Sequence, residues 1–295
     1  MERKDKPVVV GIGEILWDML PEGKRAGGAP INFVYNATQL GANGYAISAI
    51  GDDEDGREII RELDKNHINH QIQVNQYPTS KVLVQLDNGI PSYTIVEDVA
   101  WDYLQARSED IALVKKADAV CYGSLALRSP QSRTAIKTLL ANTNPAAIKL
   151  FDINLRQHYY SAELIDELLS FANIFKINDE EFVIFKQLFN LDGDDEEICR
   201  RIMQKYKLQY LIFTAGDKYS IIYGKTEKSY IPTPKVPVED TVGSGDSFSG
   251  AFTYSILQGK SLQEAHQTAV KIAAFIVTQS GAWPKYPKEL KNEER

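Results

Sequence analysis

Short apolar stretches rich in β-branched residues alternate along the chain with longer stretches whose apolar positions recur every three or four residues. The first kind predicts strands at 7–13, 44–50, 117–122, 147–153, 173–177 and 209–214; the second predicts amphipathic helices between them. Such alternation is the signature of a mainly parallel sheet with helices on both faces. Two helix starts are marked by chemistry as well as period. Ser129-Pro130 supplies an N-cap and a first-turn proline, and Ser261-Leu262-Gln263-Glu264 reads as a capping box opening an apolar helix to about residue 278.

One region breaks the pattern. Residues 70–75, 81–87 and 90–96 read as consecutive strands with no helix between them, and Asp87-Asn88-Gly89 suits a tight hairpin because Asn and Gly tolerate positive φ. Val82, Val84 and Leu86 fall on one face, and so small a sheet cannot cover both of its faces alone. We expect a β lid over a substrate cleft, formed by about 14–24 and 68–100, that also serves as a dimer surface; periodicity alone equally allows a plain sheet extension.

A length of 295 residues, 43% hydrophobic, suits a single domain with this small appendage. Lys and Arg number 33 against 40 Asp and Glu, a net charge of −7, so the overall field repels a phosphate backbone and nucleic acid is excluded as an expected partner. A polyanion such as ATP must then be held by a local device. Cys121 and Cys199 have no metal-like spacing and read as reduced core thiols. With a charged amino terminus and no apolar run of ~18 residues, a soluble cytoplasmic protein is expected, with no membrane partner.

The local device is found at Asp240-Thr241-Val242-Gly243-Ser244-Gly245-Asp246-Ser247-Phe248, which leads into an apolar helical pattern. Glycines 243 and 245 allow a turn that exposes successive N–H groups, and the following helix adds the positive end of its dipole. Phosphoryl transfer needs such an anion hole, together with a carboxylate to orient or deprotonate the attacking hydroxyl, which Asp246 can supply from the first turn. Asp-Thr-x-Gly-Ser-Gly-Asp-x-Phe resembles the C-terminal signature of the ribokinase-like (PfkB) carbohydrate kinases. That resemblance implies a ribokinase-like α/β three-layer sandwich with a small β-sheet lid. It also implies catalysis by Asp246 with Gly243, Ser244 and Gly245, and ATP with Mg²⁺ as cofactors.

Further segments resemble the family in the expected order. Gly27-Gly28-Ala29-Pro30-Ile31-Asn32, by itself a turn with a first-turn proline, is similar to the N-terminal signature, which assigns Gly27, Gly28 and Asn32 to the sugar. Asp18 follows the first strand, where open α/β sheets bind ligands, and its carboxylate can accept two sugar hydroxyls. Gly51-Asp52-Asp53-Glu54-Asp55-Gly56 is either the family's glycine-aspartate turn or a solvated loop. Asp152-Ile153-Asn154-Leu155-Arg156 resembles fructokinases and ketodeoxygluconate kinases, with Arg156 either a clamp on substrate oxygens or a surface ion-pair partner. Asn178 with Glu181 matches an Asn-x-x-Glu element associated with phosphate and Mg²⁺, Glu181 acting through water; Asn178 is equally an ordinary N-cap. Thr214 and Gly216 resemble the nucleotide turn, with Tyr219 replacing its second glycine. Ser280-Gly281-Ala282 is similar to segments that serve nucleotide and a monovalent cation such as K⁺, and Gly281 is equally a helix C-cap.

A dinucleotide-binding dehydrogenase is excluded because Gly11-Ile12-Gly13-Glu14 lacks the third glycine of that fingerprint. A catalytically silent sugar or nucleotide sensor could dispense with Asp246, which is present. Ala29-Pro30-Ile31-Asn32 and Glu97-Asp98-Val99-Ala100-Trp101-Asp102 look fructokinase-like, Trp101 being either core or a sugar-facing ring. The resemblance therefore implies transfer from ATP to D-fructose, giving fructose 6-phosphate, with 2-keto-3-deoxygluconate, other hexoses and nucleosides as alternative acceptors.

Overall fold

The computed structural model describes residues 5–20, 23–87 and 90–291. From the amino terminus, β1 (Val8–Ile12) is followed by β2 (Leu16–Leu20), β3 (Gly23–Gly27), α1 (Ala29–Gln39), β4 (Asn43–Gly51), α2 (Glu54–Lys65) and β5 (Asn69–Asn75). Then come β6 (Lys81–Asp87), β7 (Ile90–Ile95), α3 (Ser108–Val114), β8 (Ala119–Tyr122), α4 (Pro130–Asn142), β9 (Ile148–Asp152), α5 (Ala162–Phe171) and β10 (Ile174–Asn178). The chain continues through α6 (Asp179–Leu188), α7 (Asp195–Tyr206), β11 (Tyr210–Ala215), β12 (Tyr219–Gly224) and β13 (Lys228–Pro232), and closes with α8 (Ser244–Leu257) and α9 (Leu262–Ile276).

Among the described residues, nine strands form the central sheet in the order β13-β12-β11-β10-β9-β8-β1-β4-β5. Those from β5 to β11 in that order are parallel, while β12 and β13 add an antiparallel edge. The predicted strands correspond to β1, β4, β8, β9, β10 and β11 to within two residues. They read as nearly unbroken apolar runs because both faces are buried. Val10, Ile12, Val120, Phe151 and Phe175 point into one core, closed by α3 to α7. Val9, Cys121, Leu150, Ile174 and Ile212 point into the other, closed by α1, α2, α8 and α9. Both cysteines are free and buried, and no helix among the described residues is long and apolar enough to cross a membrane.

The second sheet, β3-β2-β6-β7, has β2 and β6 parallel and the outer pairs antiparallel. It corrects the expected grouping of strands. Residues 70–75 do not join 81–95; as β5 they pair in parallel with β4 at the edge of the central sheet, with Tyr45 opposite Asn69 and Gly51 opposite Asn75. The reason is α2, whose amphipathic stretch makes β4-α2-β5 a crossover unit, and such units pair in parallel. The place of β5 is taken by β3, which the sequence reading covered only as far as residue 24. The expected turn at 87–89 lies partly outside the described residues.

The acidic stretch after β4 holds the two sheets together. Asp53 caps α2, accepting from the Gly56 N–H at 2.7 Å and from the Thr79 hydroxyl at 2.7 Å. Asp55 lies between Lys24 of β3 at 2.5 Å and Lys81 of β6 at 2.6 Å. These carboxylates therefore have structural partners rather than lying as a free solvated loop. Trp101 takes the core alternative: it is 1% exposed, with the Arg128 guanidinium 4.1 Å from its ring centre.

Candidate active site

The chain passes from β1 outward to β4 and β5, then returns to β8 on the other side of β1. At such a reversal the connections leave in opposite directions and open a crevice at the carboxyl ends of the strands. A cavity of about 850 Å³ lies there, roofed by the second sheet. It gathers Glu14, Asp18, Gly28, Asn32, Arg156, Asn178, Glu181, Gly243, Gly245 and Asp246 from segments far apart in sequence.

The glycine turn behaves as its composition requires. Gly243 is the N-cap of α8 at φ 75°, ψ 0°, and a Cβ at this position would clash with Ala282. Gly245 and Asp246 occupy the first turn, where N–H groups lack intrahelical acceptors and the helix end is positive. The Lys176 ammonium stands 3.1 Å from where a Cβ at Gly245 would lie, bringing the positive end of an ion pair to this end of the cavity. Lys176 faces Asp152 across the β10–β9 register, 2.8 Å from its Oδ2, and both side chains are 7% exposed. Burial opposes the ammonium charge, but the carboxylates of Asp152 and Glu181 outweigh it and its pKa is raised. Ser249 of α8 donates to the same Asp152 oxygen at 3.2 Å.

Asp246 accepts a hydrogen bond from the Asn32 amide at 2.8 Å. Burial, reinforced by the nearby Asp152 charge, raises its pKa to about 6. It is ionised at neutral pH yet more basic than an ordinary carboxylate, the compromise a general base needs. Asn32 lines the cavity, but it is less free to hold sugar than the sequence suggested: its amide N–H serves Asp246, and its carbonyl accepts from the Trp283 indole at 2.8 Å.

On the opposite wall, Asp18 of β2 has its pKa raised to about 6 by burial, which the Arg156 charge partly offsets. The missing side chain of Gly27 leaves room for its Oδ2; Gly27 thereby shapes the wall without lining it. Gly28, at φ 120°, caps α1 where a Cβ would strike the Glu14 carbonyl. Glu14 itself is 2% exposed. Its Oε1 accepts from the Ala29 N–H at 3.2 Å, and its Oε2 has no partner. Burial is the main cause that lifts its pKa to about 7, with Asp246 adding to it.

Glu181 and Asn178 form a reciprocal capping box at the start of α6. The Glu181 carboxylate accepts from the N–H of Leu155 and of Asn178, each at 3.0 Å. With both oxygens so engaged, the side chain suits a water-mediated contact to a cation better than direct ligation. No cluster of three or more acidic, His or Cys side chains suited to holding a metal occurs among the described residues.

Besides Gly27, three expected residues fall outside the lining. The Ser244 N–H turns back on the Thr241 carbonyl at 3.3 Å. Thr214 sits one strand beyond Asn178, directly opposite it in the β11–β10 register, and Gly216 follows at φ 52°. Tyr219 does not disturb that turn; it begins β12, pairs with Ala215 and stacks between Phe213 and Tyr230. Conversely, the sequence reading assigned no site role to Glu14, Arg25, Asp152, Lys176 or Asp240. Arg25, from β3, reaches Asp240 at 3.1 Å, and Asp240 also accepts from the Gly281 N–H at 3.0 Å, so the second sheet touches the glycine-turn side of the cavity directly. A buried Lys and Asp at matching positions of two apolar strands was the signal available for the 152–176 pair.

Residues 22–289 match the family described as pfkB family carbohydrate kinase. A relative from Arabidopsis thaliana, named "Probable fructokinase-5", is 30% identical over 95% of this chain and 94% of its own. Among solved structures, a fructokinase from Xylella fastidiosa with bound ATP superposes with a TM-score of 0.85 at 22% identity, covering 96% of each chain. A double-mutant fructokinase from Vibrio cholerae in a fructose, ADP and potassium ion bound form superposes at 0.79 and 22% identity, over 99% of this chain and 97% of that one.

Proposed function

The chain belongs to the pfkB family of carbohydrate kinases and has the ribokinase-like fold, and from that premise we propose that it transfers the γ-phosphoryl group of ATP to D-fructose, yielding fructose 6-phosphate. The observation that carries this reading is the position of Asp246. Its carboxylate stands in the first turn of α8, beside the positive pole made by the turn and Lys176, and shares one cavity with Asp18 and Arg156. In this reading Asp246 takes the proton of the acceptor hydroxyl as its oxygen bonds to the γ-phosphorus and the bond to ADP breaks. The charge developing on the transferred group falls on the N–H groups of Gly243, Gly245 and Asp246 and on Lys176.

Asp18 and Arg156 hold sugar hydroxyls, with Gly27 and Gly28 shaping the wall. Thr214 and Gly216 extend from Asn178 toward the nucleoside. Glu181 and Asn178 would hold Mg²⁺ through water, and the ion would supply charge neutralisation at the ATP phosphates. The second sheet acts as a lid, supported by Leu16, Val82 and Ile95 facing the cavity and by the Arg25–Asp240 bridge. Its outer side, where Leu83 is exposed, is the surface we assign to a homodimer.

Fructose as acceptor is supported by the names of the relatives and by the fructose bound in the Vibrio cholerae fructokinase structure. The test is kcat/KM with Mg-ATP over fructose, 2-keto-3-deoxygluconate, other hexoses and nucleosides, each run in K⁺ and in Na⁺, with the product position read by NMR. The highest value should fall on fructose, phosphorylated at O6. A higher value elsewhere replaces the acceptor, and ATP binding without transfer to any sugar leaves a sensor.

A further inference from the structure

The segment after α9 folds back across α1 and is fastened there at several points. Trp283 stacks on Tyr35, with ring centres 5.5 Å apart and planes 7° apart. The Tyr35 hydroxyl donates to the Pro284 carbonyl at 2.9 Å, and the Tyr286 hydroxyl donates to Asn36 at 2.5 Å. The Trp283 indole N–H is thereby held 2.8 Å from Asn32 Oδ1, while Asn32 Nδ2 donates to Asp246 Oδ2 at 2.8 Å. An indole nitrogen can only donate, so it accepts as its neighbour only the carbonyl end of the amide. That choice turns the NH₂ end toward Asp246. Rotated by half a turn, the same amide would set its carbonyl oxygen against the carboxylate.

We propose that Trp283 is a positioning residue for phosphoryl transfer, fixing through Asn32 the orientation of the Asp246 carboxylate and leaving its other oxygen for the acceptor hydroxyl. The proposal rests on Asp246 being the general base. It adds a residue 37 positions beyond Asp246, and one that does not line the cavity.

The consequence is a shift in the proton affinity of the base. The charged and titratable groups facing Asp246 are Glu14 from the segment after β1, Cys121 from β8, Asp152 and Arg156 from β9 and its following segment, and Lys176 from β10. Against that fixed background, the Asn32 donor favours the ionised form. Loosening it should raise the acid limb of kcat/KM by about one pH unit, the equivalent of one hydrogen bond to a charged group.

The test is the pH profile of kcat/KM for sugar, from pH 5.5 to 9, in W283F, N32A and the double variant. Phe keeps an aromatic ring against Tyr35 and removes the donor. All three should share one raised acid limb, with W283F about tenfold below wild type at the acid end, approaching it above pH 8, and with KM for ATP unchanged. Y35F is the control for simple loosening of the segment and should keep the wild-type limb. A wild-type limb in W283F or N32A, a loss in W283F uniform across pH, or the same shift in Y35F overturns the proposal. D246N separates the two levels: if it turns over like wild type the general-base reading fails, whereas an inert D246N beside an unshifted W283F removes the positioning role alone.

Discussion

Replacing Glu14 by Gln should stabilise the unliganded protein at pH 8 and leave it nearly unchanged at pH 5. The side chain is 2% exposed, its Oε1 accepts from the Ala29 N–H, and its Oε2 has no partner. Burial holds its pKa near 7 against an ordinary 4.5. A carboxyl whose pKa is raised by folding binds its proton more tightly in the native state. Its contribution is intact below the unfolded pKa and is lost as pH climbs through the folded one. Across that window the loss amounts to about 3 kcal/mol, at ~1.36 kcal/mol per unit. Gln keeps the Oε1 bond and cannot ionise, but leaves an amide N–H unpaired at a cost of roughly 1 kcal/mol. The net gain at pH 8 is then about 2 kcal/mol, a rise in Tm of roughly 3 °C for a chain of this length. Melting of both proteins at pH 5 and pH 8 in one buffer system decides the matter. A Tm difference that is the same at both pH values would mean that Glu14 is not strained by ionisation, and the reasoning fails.

Asp18→Ala should raise KM for the sugar by about 10–100-fold, the worth of a hydrogen bond to a charged group, and leave KM for ATP within about twofold; a raised ATP KM with unchanged sugar KM would move Asp18 out of the acceptor site. Lys176→Met strands the buried Asp152 charge and should cost about 3–5 kcal/mol by denaturant unfolding, most of it recovered in the K176M/D152N double variant; equal stability of K176M and wild type would show the pair to be energetically idle. Hydrogen exchange within 81–95 should slow when sugar is added while 69–75 stays unchanged, because only the former roofs the cavity; equal exchange with and without sugar makes the second sheet a static wall.

What the sequence shows well is what depends on neighbours along the chain. The six predicted strands lie between apolar helices and are buried on both faces, so composition alone marks them. Gly243 is legible because a left-handed N-cap with Ala282 pressed against it tolerates no side chain. The capping boxes at Ser261 and Asn178 are readable because a cap and its partner three residues later are fixed by helix geometry itself. Where reading failed, a nonlocal pairing decided the outcome. Residues 69–75 carry a half-polar alternation that suits an edge of either sheet, and only the crossover through α2 assigns them to β4.

The residues that set the charge state of the cavity lie at the far end of the same scale. Asp152 and Lys176 are 24 positions apart, Asn32 and Asp246 are 214 apart, and Asn32 and Trp283 are 251 apart. Each member has an innocuous local reading: a strand-end acid, a strand lysine, a helix asparagine, a tryptophan in a tail. The sheet order turns these into one electrostatic unit, since β9 and β10 are neighbours, α1 packs against α8, and the segment after α9 returns over α1. A carboxylate beside a glycine turn can be found in the sequence, but its basicity is decided by burial and by charges delivered from other strands. The tertiary arrangement therefore carries the information that separates this carboxylate of raised pKa from an ordinary first-turn aspartate.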